Sequence, residues 1–227
     1  ILEKSGYWIG YTGKGWGPGK YKDGGFNRNP AGPIFSSKKK NSNIKGISSN
    51  DYSANFNDFL SNKPENKPFC FWLGGHEPHR VFEKGIGLKK GKKLMDVDVP
   101  AFLPDTPEIR SDILDYYFEI EWFDSHLAKI LSKLDAMGEL NNTMVIATSD
   151  NGMAFPRAKA NCYEFGVHVP LAIMWTGGFS GDRYANDPVG FVDLTATILD
   201  AAKIEHPKND QPQLAPIGRS LLPLLLS

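Results

Sequence analysis

The sequence has no surplus of either charge: Lys and Arg together number 26, and Asp and Glu together number 26. Nothing in that balance draws the chain to nucleic acid or to an anionic membrane surface. Its longest apolar runs fall well short of the roughly 20 residues that a membrane helix needs, so a soluble chain with no membrane span is expected. Cysteine is scarce: Cys70 lies in an apolar strand-like run and Cys162 follows a polar loop. Neither has the spacing of a metal ligand, and two such cysteines do not define a redox compartment. Internal repeats are absent. So is a phosphate loop, because Lys14 is followed by Gly15 where that motif has Ser or Thr. The sequence opens with neither Met nor a signal-peptide pattern. Its opening, Ile1-Leu2-Glu3-Lys4-Ser5-Gly6, reads as the middle of a helix, and a fragment is the expectation.

With 227 residues the chain can bury a core of its own, and one large α/β domain is expected rather than two small ones. Thr143-Met144-Val145-Ile146-Ala147-Thr148 is a β-branched apolar run that stops at Ser149-Asp150-Asn151-Gly152. Following a helix-like segment, it reads as a buried central parallel strand. In open α/β sheets ligands bind beyond the carboxyl ends of the strands, which puts Asp150 and Asn151 where a site is built. A carboxylate and an amide carbonyl are hard donors suited to Ca²⁺ or, less well, Mg²⁺. Asp-Asn-Gly is equally good turn chemistry, so the tripeptide alone leaves both readings open.

Pro68-Phe69-Cys70-Phe71-Trp72-Leu73 reads as a second buried strand. It empties into Gly74-Gly75-His76-Glu77-Pro78-His79-Arg80, where two histidines, a glutamate and an arginine crowd five positions. Histidine can carry a proton to a leaving group near neutral pH, and arginine can hold an oxyanion in a planar fork. Upstream, a short aromatic strand runs into a glycine turn carrying Lys14, which by itself is a solvated side chain by default.

Residues 18–50 and 81–104 read as long surface loops, the second with a basic run at Lys89-Lys90-Gly91-Lys92-Lys93. Asp51 is placed to cap a helix through about Ser61, with Tyr52, Phe56, Phe59 and Leu60 on one face. Thr106-Pro107-Glu108 starts a long helix whose stripe is Ile113, Tyr117, Ile120, Leu127, Ile130, Leu131, Leu134 and Met137, ending at Gly138. Asp124 interrupts that stripe, and a buried carboxylate needs a partner, so a fixed one is expected for it. Val169–Trp175 reads as a third strand and Asp193–Ala202 as a helix. Asn141-Asn142-Thr143 fits a glycosylation sequon.

Taken in order, these pieces resemble the sulfatase family of the alkaline phosphatase superfamily. They are Gly-Tyr-Trp-Ile-Gly-Tyr-Thr-Gly-Lys at 6–14, His76-Glu77-Pro78-His79-Arg80, the 99–107 approach to the long helix, Ser149-Asp150-Asn151-Gly152, and Gly218-Arg219-Ser220-Leu221-Leu222-Pro223. Within the family the chain looks most like heparan N-sulfatases (N-sulfoglucosamine sulfohydrolases) and bacterial sulfatases similar to them. The resemblance implies part of a three-layer α/β sandwich with a mostly parallel central sheet. It implies Asp150 and Asn151 as ligands of an active-site Ca²⁺, and His79, Lys14 and Lys159 as catalytic. His76, Arg80, Arg157 and Trp16 are expected to contact substrate. The implied substrate is a sulfated glycan or another sulfate ester, and the implied compartment is periplasmic, secreted or lysosomal.

The chain departs from the family's pattern in two places. Trp16 stands where members commonly have His, two residues after the signature lysine. The upstream Cys/Ser-x-Pro-x-Arg motif that yields the formylglycine nucleophile, with its pair of metal-binding aspartates, is not in these 227 residues, nor is the usual C-terminal subdomain. The expectation is a segment inactive by itself and with weak or no specific Ca²⁺ affinity. A phosphoester or phosphonate hydrolase of the same superfamily and a non-catalytic glycan-binding descendant are the alternatives.

Overall fold

A computed structural model describes residues 1–16, 19–205 and 218–227. Strand β1 (Trp8–Gly13) pairs in parallel with β2 (Phe69–Gly74), in register from Trp8 opposite Phe69 to Gly13 opposite Gly74. Two parallel strands require a crossover. Here it contains helix α1 (Tyr52–Ser61), which starts where expected because the Asp51 carboxylate accepts the Ala54 amide at 3.0 Å. Its apolar face, Tyr52, Phe56, Phe59 and Leu60, is buried. Phe59 lies against Trp8, Phe35, Phe69 and Phe71. Gly10 makes that approach feasible, since a Cβ there would stand 2.8 Å from both Phe35 and Phe59.

Helix α3 (Pro107–Ala136) begins with proline in its first turn under a Thr106 cap, and the chain turns off at Gly138 with φ +70°. Its C-terminal half gives Ile130 and Leu134 to the aromatic core around α1. Its N-terminal half gives Ile113 and Leu114 to a second core with Phe82, Val97, Leu103 and Phe155. Segment 81–104 therefore runs partly inside the molecule and carries the short helix α2 (Ile86–Lys89). Phe35 likewise ties the 19–50 excursion to the core.

The buried face of α3 is rotated from the expected stripe. Ile120 is 39% and Met137 43% exposed, whereas Asp115, Glu119 and His126 are buried. Asp124 is exposed, so it needs no fixed partner, and that expectation is overturned. The carboxylate that does need one is Asp115, which accepts the Gly85 and Gly87 amides at 2.8 Å each and so holds the start of α2.

Strand β3 (Val145–Thr148) pairs antiparallel with β4 (Leu171–Met174), Val145 opposite Met174 and Thr148 opposite Leu171. The expected parallel pairing of this strand is not what forms among the described residues. A short apolar run reports burial and length but not the direction of its neighbour. Helices α4 (Glu164–Val167), α5 (Phe191–Ala201) and α6 (Leu222–Leu226) follow. The last two are tied by Asp193, which accepts the Gly190 and Arg219 amides, and by Thr197, whose hydroxyl accepts the Leu221 amide at 2.8 Å. Among the described residues no helix is long and apolar enough to cross a membrane.

Candidate active site

The turn after β2 and the loop after β3 meet at one cleft of about 680 Å³. His79, Arg80 and Lys159 line it together with Leu103, Pro104, Ile109, Asp112, Ala154, Phe155 and Pro156. Three of the residues expected at a site from sequence thus share one cavity. A backbone bond from the His79 amide to the His76 carbonyl, 3.0 Å, closes the turn. The His79 Nδ1 stands 2.6 Å from the Arg80 carbonyl oxygen, which can only accept. Nδ1 therefore carries the hydrogen, and Nε2 is the ring atom left to exchange a proton.

Arg80 is held along the cleft wall. Its Nη1 and Nη2 donate to the two Asp112 oxygens at 3.0 and 2.7 Å, and its Nε donates to the Ala154 carbonyl at 3.0 Å. The guanidinium lies over Phe82 at 4.5 Å and Phe155 at 4.8 Å. With its fork engaged and both rings against it, Arg80 contributes shape and fixed charge to the wall. Nothing in the sequence marked Asp112 as its partner, because a partner from another element has no fixed spacing.

Lys14 and His76 form a second group at the carboxyl ends of β1 and β2. The Lys14 amide donates to the Gly74 carbonyl at 2.7 Å, and its carbonyl accepts the Trp72 indole N–H at 2.9 Å, so the turn is fixed while the side chain stays exposed. His76 is pushed below the usual histidine range, chiefly by desolvation and then by the Lys14 charge; His79 and Lys39 add to this and Glu77 opposes it. Trp16, 49% exposed, tilts against Phe26 with centroids 5.6 Å apart. Neither ring lines the cleft.

Asp150 is exposed and Asn151 half-buried at the end of β3, as expected, and the Ser149 hydroxyl donates to the Asn151 carbonyl at 2.8 Å. Gly152 must be glycine, since a Cβ would stand 1.8 Å from the Phe165 carbonyl oxygen. Two adjacent hard donors suit Ca²⁺, but they supply a small part of the 6–8 oxygens it takes. Among the described residues no group of three or more His, Cys, Asp or Glu side chains converges on a metal position. Arg157, at φ +62°, turns onto the Tyr163 ring at 4.5 Å and is outside the cleft lining.

Glu77, legible in the sequence as part of the crowded turn, is buried, and two further buried ionisable side chains, Glu119 and His126, had no reading there. Glu77 is 6% exposed and Glu119 1%, with neither Glu119 oxygen given a partner among the described residues. Burial first, then the charges of Glu77 and Asp115, push the Glu119 carboxyl up to about 8, against the pull of Arg80. His126, 1% exposed, stands 3.2 Å from the Ser53 hydroxyl and is pushed below its usual range by burial. The spacing of Asp115, Glu119, His126 and Ile130, close to whole helical turns, was the available signal.

The family model described as Sulfatase matches residues 1–204. The human N-sulphoglucosamine sulphohydrolase is 32% identical over 192 residues, covering 71% of this chain and 37% of that protein. The human N-acetylglucosamine-6-sulfatase is 29% identical over 190 residues, covering 77% of this chain and 33% of that protein. The chain thus spans about a third of the length of these curated relatives. A protein solved in complex with its substrate D-glucosamine-2-N,6-O-disulfate superposes with a TM-score of 0.64 at 18% identity, covering 99% of this chain and 63% of that one. At that identity the likeness concerns the fold, which is the α/β fold of this structural group.

Proposed function

The chain belongs to the sulfatase family, and from that premise we propose that it is part of a longer enzyme that removes sulfate from a sulfated, glucosamine-containing carbohydrate. The observation that carries the proposal is the meeting of His79 and Lys159 on one cleft, from two different strand ends. Cleaving a sulfate ester or sulfamate leaves negative charge on the departing oxygen or nitrogen. His79, with Nδ1 tied to the Arg80 carbonyl, delivers a proton from Nε2 to that atom. Lys159, and Lys14 from the neighbouring turn, hold sulfate oxygens by charge. The apolar wall of Leu103, Pro104, Ile109 and Pro156 suits a sugar face, and Arg80 keeps that wall in shape. Arg157, His76 and Trp16 are left as outer substrate contacts.

Asp150 and Asn151 would hold part of a Ca²⁺ shell, and the bound ion would neutralise sulfate oxygens in the transition state. A formylglycine outside these residues is the proposed nucleophile. The names of the two human relatives, with N-sulfated and 6-O-sulfated glucosamine in view, support the substrate class. A compartment outside the cytosol, periplasmic, lysosomal or extracellular, goes with it.

The test is turnover by the full-length protein of glucosamine N-sulfate, glucosamine 6-sulfate, an aryl sulfate and an aryl phosphate, with and without Ca²⁺. Sulfate release that Ca²⁺ restores after chelation is expected, with none from residues 1–227 alone. Turnover of the phosphate but no sulfate would overturn the proposal in favour of a phosphoester hydrolase. Glycan binding without any turnover would make the protein a binding module.

A further inference from the structure

We propose that Tyr52 and Glu77 are positioning residues that fix the His76–His79 turn for proton transfer, an inference that rests on the sulfatase reading of the cleft. Tyr52 is the first residue of α1 and is fully buried. Its ring meets Phe123 and His126 of α3 edge to face, with centroids 6.0 and 5.2 Å away, so it has little room to turn. From that fixed ring the hydroxyl reaches the turn and makes two bonds at once. It accepts the His76 amide at 3.0 Å and donates to one Glu77 carboxylate oxygen at 2.7 Å. The other Glu77 oxygen accepts the Ser48 amide at 2.7 Å.

Two consecutive residues of the turn are thereby tied to a single hydroxyl, and through Glu77 to the 36–50 segment. The next backbone bond, His79 amide to His76 carbonyl, carries that restraint to the residue whose ring faces the cleft. A glutamate at 6% exposure between two exposed histidines is hard to explain as packing, because an aliphatic side chain fills the same space without desolvating a charge. Its carboxylate orients the hydroxyl so that the oxygen lone pairs face the His76 amide. Desolvation and the Glu77 charge push the Tyr52 hydroxyl far above its usual range, which keeps it a donor at every working pH. Positioning of this kind matters to rate because proton transfer depends steeply on sub-ångström placement.

Glu77 also sets the charge around His76. That ring is faced by Lys14 from the β1 turn, Lys39 from the 36–50 segment, and His79 and Glu77 from its own turn. Of these only Glu77 favours the protonated ring.

The experiment is to measure kcat, KM and the histidine ring NMR titrations of the full-length protein and its Tyr52→Phe and Glu77→Gln variants, with an aryl sulfate as substrate. Tyr52→Phe keeps the buried ring and removes the hydroxyl. The expected result is a kcat lower by roughly 10- to 100-fold with KM within about twofold, and displaced His76 and His79 resonances. Unchanged kcat and unmoved histidine resonances, with only a lower melting temperature, would overturn the proposal. If Tyr52→Phe does not fold, Glu77→Gln decides: the His76 titration moves to lower pH and kcat falls, or neither does and the proposal is wrong. Should the wild type hydrolyse no sulfate ester, the sulfatase reading fails, while the histidine titrations still decide whether the clamp exists.

Discussion

The turn after β2 and the loop after β3 both line one cleft, and the two strand pairs behind them are built very differently. Around β1 and β2, four aromatic rings (Trp8, Phe35, Phe69 and Phe71) and the end of α3 close on Phe56 and Phe59, which are 2% and 0% exposed. Around β3 and β4 no strand residue is fully buried, and later in the chain Tyr184, Val189, Phe191 and Val192 stand 99%, 41%, 51% and 55% exposed. His79 projects from the first region and Lys159 from the second. His79 thus follows a strand pair set against a dense aromatic core, while Asp150, Asn151 and the Lys159 loop follow a strand with no fully buried residue. Stability and local opening follow buried apolar contact, so the β3–β4 pair is the one expected to open first.

The largest expected effect tests that contrast directly. Phe59→Ala removes a fully buried ring packed on Trp8, Phe35, Phe69 and Phe71, and should cost about 3–5 kcal/mol in denaturant unfolding. Ile146→Ala in half-buried β3 should cost about 1 kcal/mol. Equal losses at the two sites would break the comparison.

Glu119→Gln sharpens it next. The Glu119 carboxyl titrates near 8 when folded, against an ordinary value near 4.5. The folded state therefore holds a proton that the unfolded state gives up, and stability falls as pH rises from about 4.5 to about 8. Gln carries no such proton, so the variant should lose this fall and be more stable than wild type at pH 8 by roughly 2–4 kcal/mol. His126 works in the opposite sense: its depressed titration means that stability is lost as pH falls below the ordinary histidine range. Urea midpoints of both forms at pH 5 and pH 8 check this. An unchanged difference between the two pH values would mean that Glu119 is ionised in the fold.

How far the sequence carried depends on how local each feature is. Asp51 capping α1, Thr106 and Pro107 opening α3, and the apolar face Tyr52-Phe56-Phe59-Leu60 are set by neighbours within four residues, and each is where its spacing put it. His79 and Lys159 were legible as chemistry, although only the fold brings them to one cleft. What stayed hidden is non-local. Whether β3 pairs parallel or antiparallel depends on β4, 26 positions along between Val145 and Leu171. The exposure of Asp124 and the burial of Asp115 and Glu119 differ by a rotation of α3 that only its packing partners decide. Arg80 read as an oxyanion fork, and in the fold Asp112 engages that fork.

In the weaker region, Asp193→Ala should release the Gly190 and Arg219 amides together. About 1 kcal/mol of stability is at stake for such a cap. Faster amide exchange should be confined to the start of α5 and the approach to α6. Exchange that quickens in β1 or β2 as well would mean that the two regions unfold as one unit.

Lys159 gives the smallest effect on stability and the clearest one on function. Its loop is held by the Phe155 and Lys159 amides, both donating to the Met153 carbonyl at 2.8 and 3.0 Å, and by the Arg80 side chain on the Ala154 carbonyl. Phe155 and Ala158, 5% and 0% exposed, are its anchors, so the lysine side chain carries none of the fold. Lys159→Ala should unfold within about 0.5 kcal/mol of wild type. In the full-length protein the same change should raise KM for an aryl sulfate about tenfold, which corresponds to about 1.4 kcal/mol of lost anion binding. Lys159→Arg should recover most of it, because it returns a cation to the cleft beside Pro156. A Lys159→Ala protein with wild-type KM would show that the oxyanion is held from the β1–β2 side alone, by Lys14. The better-packed region would then carry both the proposed anion contact and the proposed proton donor, leaving the second with the proposed metal donors only.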